Sequence, residues 1–596
     1  MLRKFTPFLL FIFFVAFYLL SFKLTPFGYI DDAFISFRYA RNLMEGHGLV
    51  YNIGERVEGY SNTLFVLLLA GCGRLGLQIT WAAMLLGITF HAATIALTFA
   101  YLRRMLPKSS TPLRVQLDRD QEVAPTLKGK FSFQPLSVFA LLFLALHPTG
   151  VAYAQAGMET SLAALLLLSA VYLTTVSVER GRTVTLPILA GLATVALGLT
   201  RPEGIAMAAP LGLWLLLGNK EGRWSRAVPF SAVVFVLFGA FLLWRHSYFG
   251  YWQPNTYYAK AAGAGLSLLR VGLRYFWRFA NVTLLPYLFL PAFALVLRYR
   301  RRMPIWLFSI GSTALVYLLL VIWLGGDHFP LARFFVPAIP LLLIFLAGAG
   351  RLVRGALNAE KPQLAQVRLR PLAWIIAAVL LPLTIIFGML FRNEGLIFTG
   401  QVKLTRTWCD TGRQLKEAYP PDTSVALIPI GAIGYCSKLP IVDLVGLVDT
   451  RIAHTPTDLS RSMIGHGRFN SRYVLEEKKP KLVLPLLNLL DHPAPEWLIR
   501  RGLQHLAIKD LMDQRRFFDD YAFHRLEVGN TFFHYFARRD FEPPDSHSGV
   551  YPVDGVPSPI PEREPLAGDT LREKIFGKDV PPDEPFDVPQ NPEVML

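Results

Sequence analysis

Residues 29–62 read YIDDAFISFRYARNLMEGHGLVYNIGERVEGYSN and begin where the first apolar segment of the chain ends. Two adjacent carboxylates, Asp31 and Asp32, stand ahead of a stretch with helical period. Ala33, Phe34, Phe37, Ala40 and Met44 fall on one face, and Arg38, Arg41, Asn42 and Glu45 on the other. Asp32 reads as the N-cap, and Gly46 and Gly48 end a helix of about three turns, the pattern of a helix lying flat in a membrane interface, apolar face down. On local grounds the two aspartates are a cap and a first-turn charge favoured by the helix dipole. Their position at a membrane surface also makes them candidates for chemistry.

The composition of the whole 596-residue chain supports a membrane setting: 53% of its residues are hydrophobic and its mean hydropathy is +0.38. The net charge of +17 does not indicate a nucleic-acid partner, because the basic residues gather in short connections between apolar segments, as the positive-inside rule requires. Residues 1–24 resemble a signal peptide in having Arg3 and Lys4 before an apolar core, but no small-residue cleavage site follows, so they are read as a retained first membrane helix.

Spans of roughly 20 residues are expected at about 6–24, 80–103, 135–153, 158–178, 184–199, 204–218, 227–248, 281–298, 304–324, 333–350 and 371–391, about eleven in all. Ser61 to Leu77 is apolar as well. If it crossed, the basic loop from Arg103 to Lys130 would lie outside, against the charge rule, so it is read as a re-entrant or juxtamembrane helix on the outer side. The inner connections are then all basic, among them RYRRR (298–302), whereas QAGMET (155–160), TRPEG (200–204), GYWQPNTYYAKAAG (250–263) and GGDHFPLARF (325–334) share the outer side with the opening loop.

After Phe391 the pattern becomes that of a soluble α/β domain, 392–541. A helix is expected around Gln401 to Ala418, strands in SVALIPIGAIGYC (424–436), PIVDLVGL and KPKLVLPLL, and a hairpin from YAFHRLEVG and TFFHYFARR. The tail, 542–596, is Pro-rich and acidic and is expected to be disordered. No internal repeat is present. Of the three cysteines, Cys72 lies in an apolar segment; Cys409 and Cys436 lie in the outer domain, on the oxidising side, and are expected to pair.

The polar residues on the outer side are the site candidates. Arg201 can bind a phosphate in bidentate fashion, and Lys260, His328 and Arg333 are further cations for a phosphate headgroup. Asp327 can orient His328 or Arg333. Glu159 and Glu203, the amides of Asn62 and Asn255, and the rings of Tyr60 and Tyr258 suit sugar or acceptor hydroxyls and C–H faces, although aromatics here also suit an interfacial belt. Asp118-Arg119-Asp120 lies in a basic inner loop with no α/β domain around it, Gly348-Ala349-Gly350 lacks a preceding strand, and there is no Walker loop or zinc pattern.

The motif YIDDAFISFRYARNLMEGHGLVYN, followed by GERVEGYSN, resembles the first periplasmic loop of the C-type membrane glycosyltransferases (the GT-C fold), and within them the terminal arabinofuranosyltransferases of the cell wall. The resemblance covers the membrane half, 1–391, and is strongest at 29–77 and at GGDHFPLARF. It implies a polytopic α-helical membrane enzyme in the bacterial inner membrane, with its active site and C-terminal domain periplasmic. It also implies the juxtamembrane placement of Ser61 to Leu77. The donor would be a polyprenyl-phosphate sugar, the acceptor a polysaccharide or glycolipid, and the essential acid Asp31 with Asp32 as its companion. Asp31 would act as general base, or as nucleophile if configuration is retained. No cofactor is certain; a divalent cation held by Asp31 and Asp32 is the minor option. The alternatives are a relative moving aminoarabinose or mannose to lipid A or protein, and a lipid-linked sugar flippase, which would place ionisable groups near mid-membrane instead of at one face.

Overall fold

The computed structural model describes residues 28–106, 135–260, 265–299, 303–360, 392–455, 467–485, 490, 496, 499–500, 505–528, 531–541 and 551–552. The expected spans at 6–24 and 371–391 and the basic loop beyond residue 106 lie outside these. Helix α1 (Asp31–Met44) leads to α2 (Thr63–Arg74). The bundle follows as α3 (Ile79–Met105), α4 (Pro135–Leu146), α5 (Pro148–Gln155), α6 (Thr160–Arg180), α7 (Thr185–Thr200) and α8 (Ala208–Leu217), then α9 (Arg223–Phe249). Next come the short α10 (Asn255–Lys260), α11 (Gly265–Thr283), α12 (Leu285–Arg298), α13 (Ile305–Trp323) and α14 (Ala338–Glu360).

Among the described residues, six helical segments are long and apolar enough to cross a membrane, or seven if α11 and α12, bent by 97°, count as one; α7 and the stretch Pro202–Leu217 are shorter apolar helices. The expected span at 281–298 is therefore only the second arm of a bent pair, turned at Leu284, whose φ is +57°. On α9, Phe235 is 78% and Val236 66% exposed, an arrangement stable only against lipid. The protein is a multi-pass helical membrane protein with an α/β domain at its C-terminal end.

In that domain α15 (Arg392–Ala418) precedes β1 (Val425–Leu427), α16 (Gly431–Ser437), β2 (Ile441–Asp443), β3 (Leu482–Val483) and the hairpin β4 (Tyr521–Val528) and β5 (Thr531–Arg538). The sheet order is β2-β1-β3-β5-β4-β6, with β1 parallel to β2 and β3 and the remaining pairs antiparallel. Strand β6 (Tyr551–Pro552) pairs with β4 and falls in the tail expected to be disordered; the rest of 542–596 is outside the described residues. Cys409 of α15 and Cys436 of α16 are joined by a disulfide.

Three local expectations are corrected. The stretch 424–436 is a three-residue strand followed by a helix, because Gly431 and Gly434 meet α1 and the loop after it. A Cβ on Gly431 would stand 2.0 Å from the Asp31 carbonyl oxygen, and one on Gly434 2.0 Å from the Tyr51 hydroxyl. The N-cap of α1 is Ile30, with no side-chain cap; Asp31 and Asp32 form its first turn. Its polar face does not look into water: Arg38 and Arg41 are buried beneath α16.

Candidate active site

A cavity of about 390 Å³ opens at one end of the bundle, where every lining segment is a loop or a helix end. Asp32, Ile35 and Ser36 of α1 form one wall, and Tyr60, Ser61 and Asn62 ahead of α2 continue it. The α5–α6 turn supplies Glu159, and the turn after α7 supplies Arg201 and Glu203. The approach to α10 supplies Gln253, Thr256, Tyr257 and Lys260, the turn after α13 supplies Asp327, His328 and Arg333, and the α/β domain contributes Leu447. Ten of the thirteen residues singled out from the sequence, namely Asp32, Tyr60, Asn62, Glu159, Arg201, Glu203, Lys260, Asp327, His328 and Arg333, thus meet around one space.

Asp31, Asn255 and Tyr258 do not line it. The Asp31 carboxylate turns to α16, accepting from the amides of Gly431 (3.0 Å) and Ala432 (2.6 Å). Asn255 donates through Nδ2 to the carbonyls of Gly446 (2.8 Å) and Leu447 (2.9 Å), fastening α10 to the α/β domain. The Tyr258 ring lies 4.3 Å from that of His454. Enclosure under the α/β domain raises the Asp31 carboxyl to about 7; the Ala432 amide opposes the rise, the Asp32 charge adds to it and the Gly431 amide opposes it. In space, Asp32 faces the cavity, and Asp31 holds a neighbouring helix. Among the described residues no three metal-ligating side chains come together.

Two guanidinium groups organise the polar wall. Arg201 pairs with Glu159 (3.1 Å) and Glu203 (2.6 Å) and lies 3.7 Å above the Phe334 ring. The second Glu159 oxygen accepts from Asn62 (3.0 Å), which exchanges hydrogen bonds with Ser36. Arg333 binds Asp327 through Nε and approaches Asp32 through Nη2 (3.5 Å), while its Nη1 is buried with no hydrogen-bond partner among the described residues. Burial works to raise the Asp327 carboxyl, but Arg333, with His328 and Lys260, holds it well below the usual carboxylate range. The Lys260 ammonium forms no hydrogen bond or ion pair within the described residues.

The backbone carrying Arg333 is strained. Leu331 (φ 60°) and Ala332 (φ 50°) both occupy the left-handed region, which costs non-glycine residues about 1–2 kcal/mol each. The turn is held from three sides: Glu394 accepts from the Leu331 amide (2.6 Å), Tyr153 donates to the Pro330 carbonyl (2.6 Å), and the Phe334 amide donates to Tyr275 (3.1 Å). None of these three supports, nor Phe334, was singled out from the sequence. Glu394 stands in a helix of another domain and the tyrosines in apolar helices, so no local pattern marks them.

The class defined by fold and site is a multi-pass helical membrane protein whose charged cavity lies beneath an α/β domain. In sequence the chain is similar to the "Terminal beta-(1->2)-arabinofuranosyltransferase" of Mycobacterium tuberculosis, at 31% identity over 241 residues, 39% of this chain and 35% of that protein. The Corynebacterium glutamicum protein of the same name is 30% identical over 248 residues, 39% of this chain and 33% of that one. The chain thus matches about a third of the length of these curated relatives. Residues 398–535 match a domain of unknown function, DUF8728. Among solved structures, ArnT from Cupriavidus metallidurans in the apo state aligns over 74% of this chain and 86% of its own at 15% identity (TM-score 0.48). AglB from Archaeoglobus fulgidus, in complex with an inhibitory peptide and a dolichol-phosphate, aligns over 92% and 77% at 12% identity (TM-score 0.47).

Proposed function

We propose that this cavity transfers a sugar, arabinofuranose by likeness to the sequence relatives, from a polyprenyl-phosphate donor to a hydroxyl of a cell-envelope glycan, on the outer face of a bacterial cytoplasmic membrane. One observation carries the reading: a carboxylate, Asp32, faces a cavity at the end of an apolar bundle, with the Lys260 ammonium and the Arg333 guanidinium on the same walls. A lipid phosphate enters such a site with its tail in the bilayer and its head among cations. Lys260 and Arg333 suit the phosphate. Arg201 is already neutralised by Glu159 and Glu203, so its part is to hold the wall, in place of the leading phosphate role expected from its position.

In the reaction Asp32 takes the proton from the acceptor hydroxyl as its oxygen bonds to the anomeric carbon. The bond from that carbon to the phosphate oxygen breaks, its electron pair leaves with the lipid phosphate, and Lys260 and Arg333 stabilise the charge that develops there. Glu159, Glu203, Asn62 and Tyr60 line the space left for sugar hydroxyls. Incubation of the purified full-length protein with a synthetic prenyl-phosphate arabinofuranose and an oligo-arabinan acceptor should yield an extended glycan and free prenyl phosphate. Turnover with an aminoarabinose or mannose donor and none with arabinofuranose would reassign the sugar. Movement of the intact donor between leaflets of proteoliposomes, with no transfer, would replace the enzyme by a flippase.

A further inference from the structure

Helix α16 belongs to the α/β domain, yet it is gripped end to end by α1, the helix that carries Asp32. At its start the free amides of Gly431 and Ala432 donate to the Asp31 carboxylate. At its other end the Gly434 carbonyl accepts from Arg38 (2.6 Å) and the Tyr435 carbonyl from Arg41 (2.7 Å). Arg38 also donates to the carbonyls of Leu439 (2.8 Å) and Tyr51 (2.7 Å). Seven residues separate Asp31 from Arg38, about 10 Å at 1.5 Å per residue, the length of a seven-residue helix such as α16. An anion thus sits at the positive end of its dipole and cations at the negative end. The contact has no spare room: Gly431 and Gly434 admit no Cβ, and the Tyr51 hydroxyl donates to the Ile430 carbonyl (2.5 Å). Cys436 of the same helix is bonded to Cys409 of α15.

The geometry points to α16 as a positioning element for the cavity. Asp31, Arg38 and Arg41 are positioning residues through which the α/β domain fixes the first turn of α1, and with it Asp32, while the Cys409–Cys436 bond fixes α16 in turn. The α/β domain is then a working part of the site. Its consequence for turnover rests on the transferase reading; the mechanical claim does not. Misplacement of a reacting group by an ångström costs up to about a hundredfold in rate, so loosening the grip should act on kcat and leave donor binding in place.

The test uses full-length protein in detergent and two readouts. In hydrogen exchange, Asp31→Ala, Gly434→Ala and the double variant Cys409→Ala/Cys436→Ala should each speed exchange in α16 and also in residues 31–37 of α1. In the transfer assay they should lower kcat about tenfold or more with donor affinity within about twofold of wild type, and Asp31→Asn, which can still accept an amide, should recover part of the loss. Treatment of the wild type with a dithiol, which reduces the disulfide, should reproduce the cysteine variant and be reversed by reoxidation, a control that needs no variant to fold. Unchanged exchange in α1 for all three variants would overturn the grip, whatever the protein catalyses. Faster exchange with kcat intact would overturn the positioning role. A loss of kcat confined to Asp31 variants would make Asp31 a chemical participant and overturn it as well. Absence of transfer by the wild type would count against the function alone, since the exchange result stands by itself.

Discussion

Arg201 and Lys260 are both cations on the wall of one cavity, but their surroundings predict opposite phenotypes. Removal of Arg201 leaves the buried Glu159 and the half-buried Glu203 without their cation, a change that costs about 3–5 kcal/mol, so Arg201→Ala should lower the melting temperature sharply. Lys260→Ala removes no hydrogen bond or ion pair among the described residues. It should leave stability within about 0.5 kcal/mol and weaken donor binding by tenfold to a hundredfold, about 1.5–3 kcal/mol, read by titration of a prenyl phosphate. Asp31 gives a pH signature. Its carboxyl rises from 3.8 in the unfolded chain to about 7, so the folded state binds the extra proton between those values. Its contribution to stability is therefore greatest below about pH 4, falls as pH rises towards 7 and is constant above. In Asp31→Asn that component should vanish, so the difference in melting temperature between variant and wild type should change across pH 4–7. A constant difference over that range would mean that the group does not titrate there. The residue types at the site were legible in the sequence because ionisable groups bunched on one side of a membrane are costly and hence conspicuous. Which of two adjacent aspartates faces the cavity was not legible. That choice is made by the amides of Gly431 and Ala432, some 400 residues away along the chain.

At the scale of elements, long apolar helices and the β4–β5 hairpin could be read directly, because periodicity and length alone specify them. Elements made by distant contacts could not. Helix α16 has two glycines in seven residues and reads as a strand locally; it is a helix because those glycines let it lie on α1. The turn at Leu331–Ala332 is another such case, left-handed because Glu394, Tyr153 and Tyr275 hold it from outside. Ala332→Gly should relieve that strain, raising stability by roughly 0.5–1 kcal/mol in denaturation while Arg333 keeps its place and donor affinity is unchanged. A loss of stability would show that the turn relaxes in the protein.

For the whole molecule, the proposed orientation follows the charge asymmetry, with the basic connections inside and the cavity and α/β domain outside. In intact cells, with Cys72→Ala as background, Lys403→Cys should react with an impermeant thiol reagent and Arg104→Cys should not. Equal labelling would place both on one side and remove the reason for a lipid-borne donor. The C-terminal stretch was not fully legible from composition, since β6 at 551–552 joins the sheet by backbone pairing from within a Pro-rich, acidic segment.

The most direct test compares Asp32→Asn with Asp31→Asn in transfer of arabinofuranose from a synthetic prenyl-phosphate donor to oligo-arabinan, with donor binding followed in parallel. Asp32→Asn should lower turnover by a hundredfold or more at unchanged donor affinity, as loss of a general base does, and Asp31→Asn by about tenfold or less. Retention of more than about a tenth of wild-type turnover by Asp32→Asn, with loss of activity in Asp31→Asn, would contradict the assignment of the chemistry to the carboxylate that faces the cavity.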